Sequence, residues 1–234
     1  MLEIKNVTKK YGSKTALNDV SFTVKDGEIF AFIGHNGAGK TTLIKSIVGI
    51  HDFDEGEIII NGKSIKEDPI NCKKVMAYVP DNHELYENMK AIDYINFICD
   101  MYEVDQETRE TNIKKYAKLF EIEENLNDPI ISFSHGMKQK IALISALAHN
   151  PKILIMDEPF VGLDPKAVYD VKKVMNEMIK EKKIIFFSTH ILDVAEKLCS
   201  EVVIIKNGKL IKTGNMKTIK GDKSLEKVFL ELEG

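Results

Sequence analysis

The stretch Gly34-His35-Asn36-Gly37-Ala38-Gly39-Lys40-Thr41-Thr42 constrains this chain more than any other, because it carries the spacing G-x-x-x-x-G-K-[ST] of a phosphate-binding loop. Residues 28–33 ahead of it form a short apolar run that predicts a buried strand, and residues 41–48 predict the opening of a helix. Glycines at these positions permit positive φ and let successive backbone N–H groups approach an anion. The helix start adds its own positive potential. Gly34, Asn36, Gly37, Ala38, Gly39, Lys40, Thr41 and Thr42 are therefore the candidate phosphate contacts. Lys40 would reach the β- and γ-phosphates, and the Thr41 hydroxyl would ligate Mg²⁺. The plainer alternative, a glycine turn into an ordinary helix with Lys40 solvated, does not account for the strand, turn and helix appearing together.

The chain has 234 residues, 44% of them apolar, enough to fill a sizeable core, and the expectation is one domain over residues 1–234. A formal charge of −3 argues against a nucleic-acid partner. Of 33 basic residues only Arg109 is arginine, so lysine carries nearly all cationic work. Cys72, Cys99 and Cys199 are widely spaced, which suits a reducing compartment and suggests neither a disulfide framework nor zinc. No apolar run approaches the roughly 18 residues needed to span a bilayer, and the first residues show no signal-peptide pattern. Any membrane role is expected to run through a partner.

Residues 2–33 alternate short apolar segments with turns, predicting a small antiparallel sheet that leads into the buried strand. Residues 57–65 read as a hairpin around Asn61-Gly62, and 75–79 as a strand closed by Pro80. From about residue 85 to 148 the period becomes helical: Ile92, Ile95, Cys99 and Tyr102 share one face, as do Ile113, Ala117 and Phe120. This predicts an inserted helical subdomain. Beyond Pro151, strands at 153–156, 184–187 and 202–205 alternate with helices at 165–180 and 191–199, as in a mostly parallel α/β sheet. Ligands of such sheets bind at the carboxyl ends of the strands.

The remaining candidates fall at those ends. Asp157 and Glu158 close the strand at 153–156; Asp157 is placed to hold Mg²⁺ and Glu158 to polarise an attacking water, with simple capping of the next helix as the alternative. His190, after Ser188-Thr189, could donate to a γ-phosphate oxygen. Asp164 before Pro165 is a helix N-cap with an equal claim to function. Ser134 and Gly136 open the next alanine-rich helix and form a second potential anion site, far in sequence from the first.

Together these residues strongly resemble the nucleotide-binding subunit of the ABC transporter family over nearly the whole chain. Residues 34–42 look like Walker A, 153–158 like Walker B with its catalytic glutamate, 134–137 like the signature, 162–164 like the D-loop, and His190 like the switch histidine. Tyr11 aligns with the aromatic that stacks on adenine, though a tyrosine at a strand end also packs. The resemblance implies a P-loop NTPase core with an N-terminal antiparallel β-subdomain and the helical insertion. It implies ATP and Mg²⁺ as ligands, with Lys40, Glu158 and His190 catalytic. It also implies pairing head to tail with an identical or related ATPase subunit, so that Ser134, Gly136 and Asp164 act across the interface. An integral membrane permease would be the partner, the chain lying at the inner face of the cell membrane.

Two positions depart from the family pattern. Asp81 stands where the family has a glutamine, and as a carboxylate it becomes a further candidate Mg²⁺ ligand. His135 and Met137 replace a glycine and a glutamine of the signature. The tail residues 224–229 and the Tyr78-Val79-Pro80-Asp81 segment look most like bacterial exporters with separate membrane chains. The competing classes are a soluble family member working in DNA repair or on the ribosome, and a phosphotransferase on the same loop. The acidic charge and the signature count against them.

Overall fold

The computed structural model describes residues 1–82 and 85–233; residues 83, 84 and 234, inside the expected single unit, lie outside the described residues. Two sheets organise the chain. The first is antiparallel, in the order β2-β1-β4-β5, from β1 (Leu2–Tyr11), β2 (Lys14–Val24), β4 (Glu55–Ile60) and β5 (Lys63–Ser64). The second has the order β10-β9-β3-β8-β7-β6, built from β3 (Ile29–Ile33), β6 (Met76–Val79), β7 (Ile153–Asp157), β8 (Ile184–Thr189), β9 (Glu201–Lys206) and β10 (Lys209–Asn215). Every pair in it is parallel except β9 with β10.

The central strands are apolar runs because both their faces are covered. Successive residues divide between two cores. Phe30, Phe32, Ile155 and Phe186 face the antiparallel sheet and α1 (Lys40–Ile47), whereas Ala31, Ile33, Met156 and Phe187 face the helical side. On the first side Phe22, Phe30 and Phe186 stack with ring centroids 5.2 to 6.0 Å apart. Fully burying each such ring stabilises by about 1.5–3 kcal/mol.

On the helical side, α3 (Ala91–Met101), α4 (Gln106–Leu119) and α5 (His135–Ala148) pack through Ile95, Cys99, Ile113, Ala117 and Ile144. α6 (Pro165–Lys180) and α7 (Leu192–Leu198) follow β7 and β8. α2 (Pro69–Lys74), β10, α8 (Met216–Lys220) and α9 (Leu225–Glu233) lie outside the elements expected from periodicity. Among the described residues no helix is long and apolar enough to cross a membrane.

Candidate functional site

The loop at residues 34–39 leaves β3, Asp157 ends β7 and Thr189 ends β8, and these three strands are neighbours in the sheet. Parallel pairing sets Ile33 beside Thr189 and Asp157 beside Ser188. Segments more than a hundred residues apart in sequence therefore meet at one sheet edge.

The loop's shape depends on its glycines. Gly37 and Gly39 adopt φ of 81° and 113°. A Cβ on Gly34 would lie 2.6 Å from the Ile205 carbonyl oxygen, and one on Gly39 2.6 Å from that of Ala16. α1 then starts with no side-chain cap and no acidic residue in its first turn. By contrast α4, α5 and α6 are each capped by their own side chains, Asp105, Ser134 and Asp164. The uncapped start leaves backbone N–H groups for an anion.

Side chains from all three strand ends interlock. Lys40, only 6% exposed, donates to the Gly34 carbonyl at 2.7 Å and the His35 carbonyl at 3.3 Å, with Glu158 Oε1 3.4 Å away. Thr41 Oγ1 donates to Asp157 Oδ2 at 2.8 Å. The Ser188 hydroxyl donates to the other Asp157 oxygen and accepts from the Glu158 N–H at 3.2 Å. Glu158 sits at φ 50°, a left-handed conformation that disfavours a side chain, and Ser188 fastens it there. His190 Nδ1 lies 2.9 Å from Glu158 Oε2, and the His190 N–H donates to the same oxygen at 3.2 Å.

A cleft of about 360 Å³ opens over this network. Asn36, Gly37, Gly39, Lys40, Thr41, Thr42, Asp81, Asp157 and Glu158 line it, and Tyr11 stands at one side with its hydroxyl 2.8 Å from His51 Nδ1. Partial desolvation, and then the charges of Asp157 and Glu158, hold the Asp81 carboxyl above its ordinary range. The hard oxygens of Thr41, Asp157 and Asp81 in one cleft fit Mg²⁺, which takes one or two protein oxygens and completes its shell with phosphate and water. No group of three or more His, Cys, Asp or Glu that could hold a metal ion by themselves occurs among the described residues.

Not every expected contact lines the cleft. Gly34 and Ala38 form the back of the loop, where the Ala38 carbonyl accepts from Gly208 N–H. Ser134, Gly136 and Asp164 stand elsewhere, at the starts of α5 and α6. His135 fills the space beside Gly162, where a Cβ would meet its ring at 2.6 Å. Asp164 caps α6 by accepting from Ala167 N–H at 2.9 Å. Sequence reasoning missed Lys14 and Ala16, which line the cleft from β2, and His35, which lines it from the loop, and gave Ser188 no role. It also missed Gln139, 2% exposed, whose amide donates to the Pro159 carbonyl at 2.7 Å and ties α5 to the Asp157-Glu158 turn. A buried amide on an otherwise apolar helix face was the available signal.

Comparison with known proteins adds to this geometry. The model of the family described as ABC transporter matches residues 17–161. The chain is 35% identical over 237 residues to the ABC-type transporter ATP-binding protein EcsA of Bacillus subtilis, covering 99% of this chain and 96% of that one. It is 30% identical to the methionine import ATP-binding protein MetN of Clostridioides difficile, covering 99% of this chain and 74% of MetN. A solved ATP-binding subunit of an ABC transporter superposes with a TM-score of 0.97 at 34% identity, over 100% of both chains. A dimeric ATP-binding cassette in a post-hydrolysis state with ADP and Pi superposes at 0.83 and 25% identity, over 92% of this chain and 99% of that one.

Proposed function

Because the chain belongs to the ABC transporter family, as an ATP-binding subunit that hydrolyses ATP, we propose that it powers export through a separate membrane-spanning permease. Two ATPase subunits would close head to tail over Mg²⁺-ATP. The observation that carries this reading is the single bonded network joining Lys40, Thr41, Asp157, Glu158 and His190 under an uncapped helix start.

In this mechanism Tyr11 stacks on adenine, and the loop N–H groups with Lys40 hold the β- and γ-phosphates. Glu158 takes the proton of the attacking water, and His190 fixes Glu158 while facing the γ-phosphate. Thr41 and Asp157, with Asp81, would hold Mg²⁺, which would supply positive charge to offset that of the phosphates. Ser134 and Gly136 complete the partner subunit's site, and Asp164 crosses the interface. The exposed side chains of Tyr86, Phe97, Met101 and Ile131 on the helical side support a protein partner there, and hence a peripheral position at the inner membrane face.

Steady-state ATP hydrolysis against protein concentration tests the sandwich. A rate per chain that climbs with concentration and vanishes in Glu158→Gln supports it; a concentration-independent rate that ignores the mutation overturns it. Direction is a separate question, since MetN is named for import. Comparing metabolites in cells and medium with and without the chain decides it: cargo retained inside supports export, and cargo left in the medium overturns it.

A further inference from the structure

The C-terminal helix α9 touches the phosphate loop from behind. Phe229, 6% exposed, sets its ring against that of His35, with centroids 4.9 Å apart at an interplanar angle of 64°. His35 is the second residue of the loop, and its carbonyl accepts from Lys40 Nζ. A second connection runs through the end of β9: Lys206 Nζ donates to the Leu232 carbonyl of α9 at 3.2 Å, and two residues on, Gly208 N–H donates to the Ala38 carbonyl of the loop at 2.9 Å. Between loop and turn lies a small hollow of about 110 Å³, lined by His35, Ala38, Ile205 and Lys206 among others. The back of the loop therefore has room to shift, and α9 reaches it through the Phe229 ring on His35 and the Leu232 carbonyl on Lys206.

α9 is itself firmly seated. Leu225 is fully buried, Val228 is 6% exposed, and the Leu225 N–H donates to Glu196 Oε2 at 2.7 Å. Phe229 is thus held by a fixed helix and presses on a residue of a loop whose backbone must be in register with the phosphates.

We propose that Phe229 is a positioning residue of the nucleotide site: through His35, which lines both the cleft and the hollow behind it, it holds the phosphate loop in place, so that α9 sets the affinity for ATP. The proposal rests on the ATP-site reading above. Phe229 touches neither phosphate nor the attacking water, so its loss acts on binding and leaves the chemical step of bound ATP intact.

The test is a double-mutant cycle on KM for Mg²⁺-ATP with Phe229→Ala, His35→Ala and the pair, and Leu230→Ala, exposed on the same helix, as control. An aromatic edge contact corresponds to a change of about 2- to 12-fold. Each single variant is expected to raise KM by about that factor with kcat at saturating ATP altered less, and the pair is expected to add nothing beyond the larger single effect. Multiplying effects, or a fall in kcat with KM unchanged, would overturn the proposal. Should Phe229→Ala fold poorly, Phe229→Leu keeps the apolar fill and loses the ring edge; a lowered urea midpoint with unchanged KM would make Phe229 structural only. Absence of any ATP turnover in the unmutated chain would instead sink the ATP-site reading itself.

Discussion

The cleft over the phosphate loop and the segment at Ser134–Met137 are both helix starts, yet they are built differently. α1 has no side-chain cap, and the strand-end residues around its start bond to one another. α5 spends its serine on itself, the Ser134 hydroxyl accepting from Met137 N–H at 3.3 Å, and its neighbours His135 and Gly162 pack together. The first region forms a closed chemical unit within one chain. The second is built around the start of α5, with Ser134 and His135 exposed and Gly136 and Met137 half-buried. One region is a site assembled by one chain; under the proposed head-to-tail sandwich the other would be half of a site between chains.

The largest effect that could break this contrast is at Glu158. Glu158→Gln keeps the shape of the network and removes the base, so hydrolysis should fall by about 10²- to 10⁴-fold while ATP is retained. Size-exclusion chromatography of the variant with ATP should then show a dimer; a monomer throughout would mean that the cleft does not need a second copy. Next in size is Ser134→Arg, which places a bulky cation where a partner's phosphates would lie. Turnover should drop by on the order of 10²-fold, with monomer ATP affinity unchanged by titration calorimetry. Loss of both would bring Ser134 into the site of its own chain and erase the distinction.

The two regions also differ in how far the sequence disclosed them. The central strands were legible because burial on both faces leaves them almost wholly apolar, and the loop motif sits between one such strand and a helix. β10 was not legible: its residues are mostly exposed, so no apolar alternation marks it. α2 is a single capped turn and a half, announced only by Asp68-Pro69. Of the residues named by motif, Asn36, Gly37, Gly39, Lys40, Thr41, Thr42, Asp157 and Glu158 line the cleft; Ser188 was not named, because its task depends on the register between β7 and β8. That Asp164 caps its own helix was readable from Asp164-Pro165; that His135 would seat against Gly162 was not, because it depends on how α5 meets the turn before α6.

His149 sharpens the contrast from the far end of α5. Its ring stacks on Tyr102 with centroids 3.7 Å apart, and both ring nitrogens are buried. Burial lowers its pKa to about 4 from 6.5. The unfolded chain therefore binds a proton that the folded chain refuses, and stability falls as pH drops from about 6.5 towards 4, by up to roughly 3 kcal/mol. In His149→Phe that acid-side decline in urea midpoint should flatten. A decline as steep as that of the unmutated chain would place the acid sensitivity elsewhere, away from the helix that carries Ser134.

The smallest effect lies inside the cleft, at Asp81. Partial desolvation, reinforced by Asp157 and Glu158, raises its carboxyl pKa from the ordinary value of 3.8. The sign is opposite to that of His149: the folded chain holds a proton that the unfolded chain has already released, so ionised Asp81 costs stability once pH rises past its ordinary range. Asp81→Asn should raise the urea midpoint at pH 7 and leave it unchanged near pH 3, and the gain is modest because the side chain is partly solvated. Mg²⁺ supplies the second arm of the same experiment. If Asp81 belongs to the cation site, Mg²⁺-ATP should narrow the difference between the two chains at pH 7, because the cation offsets the carboxylate's repulsion, and hydrolysis by the variant should need more Mg²⁺. An unchanged Mg²⁺ titration would remove Asp81 from the metal site and leave Thr41 and Asp157 as its protein ligands.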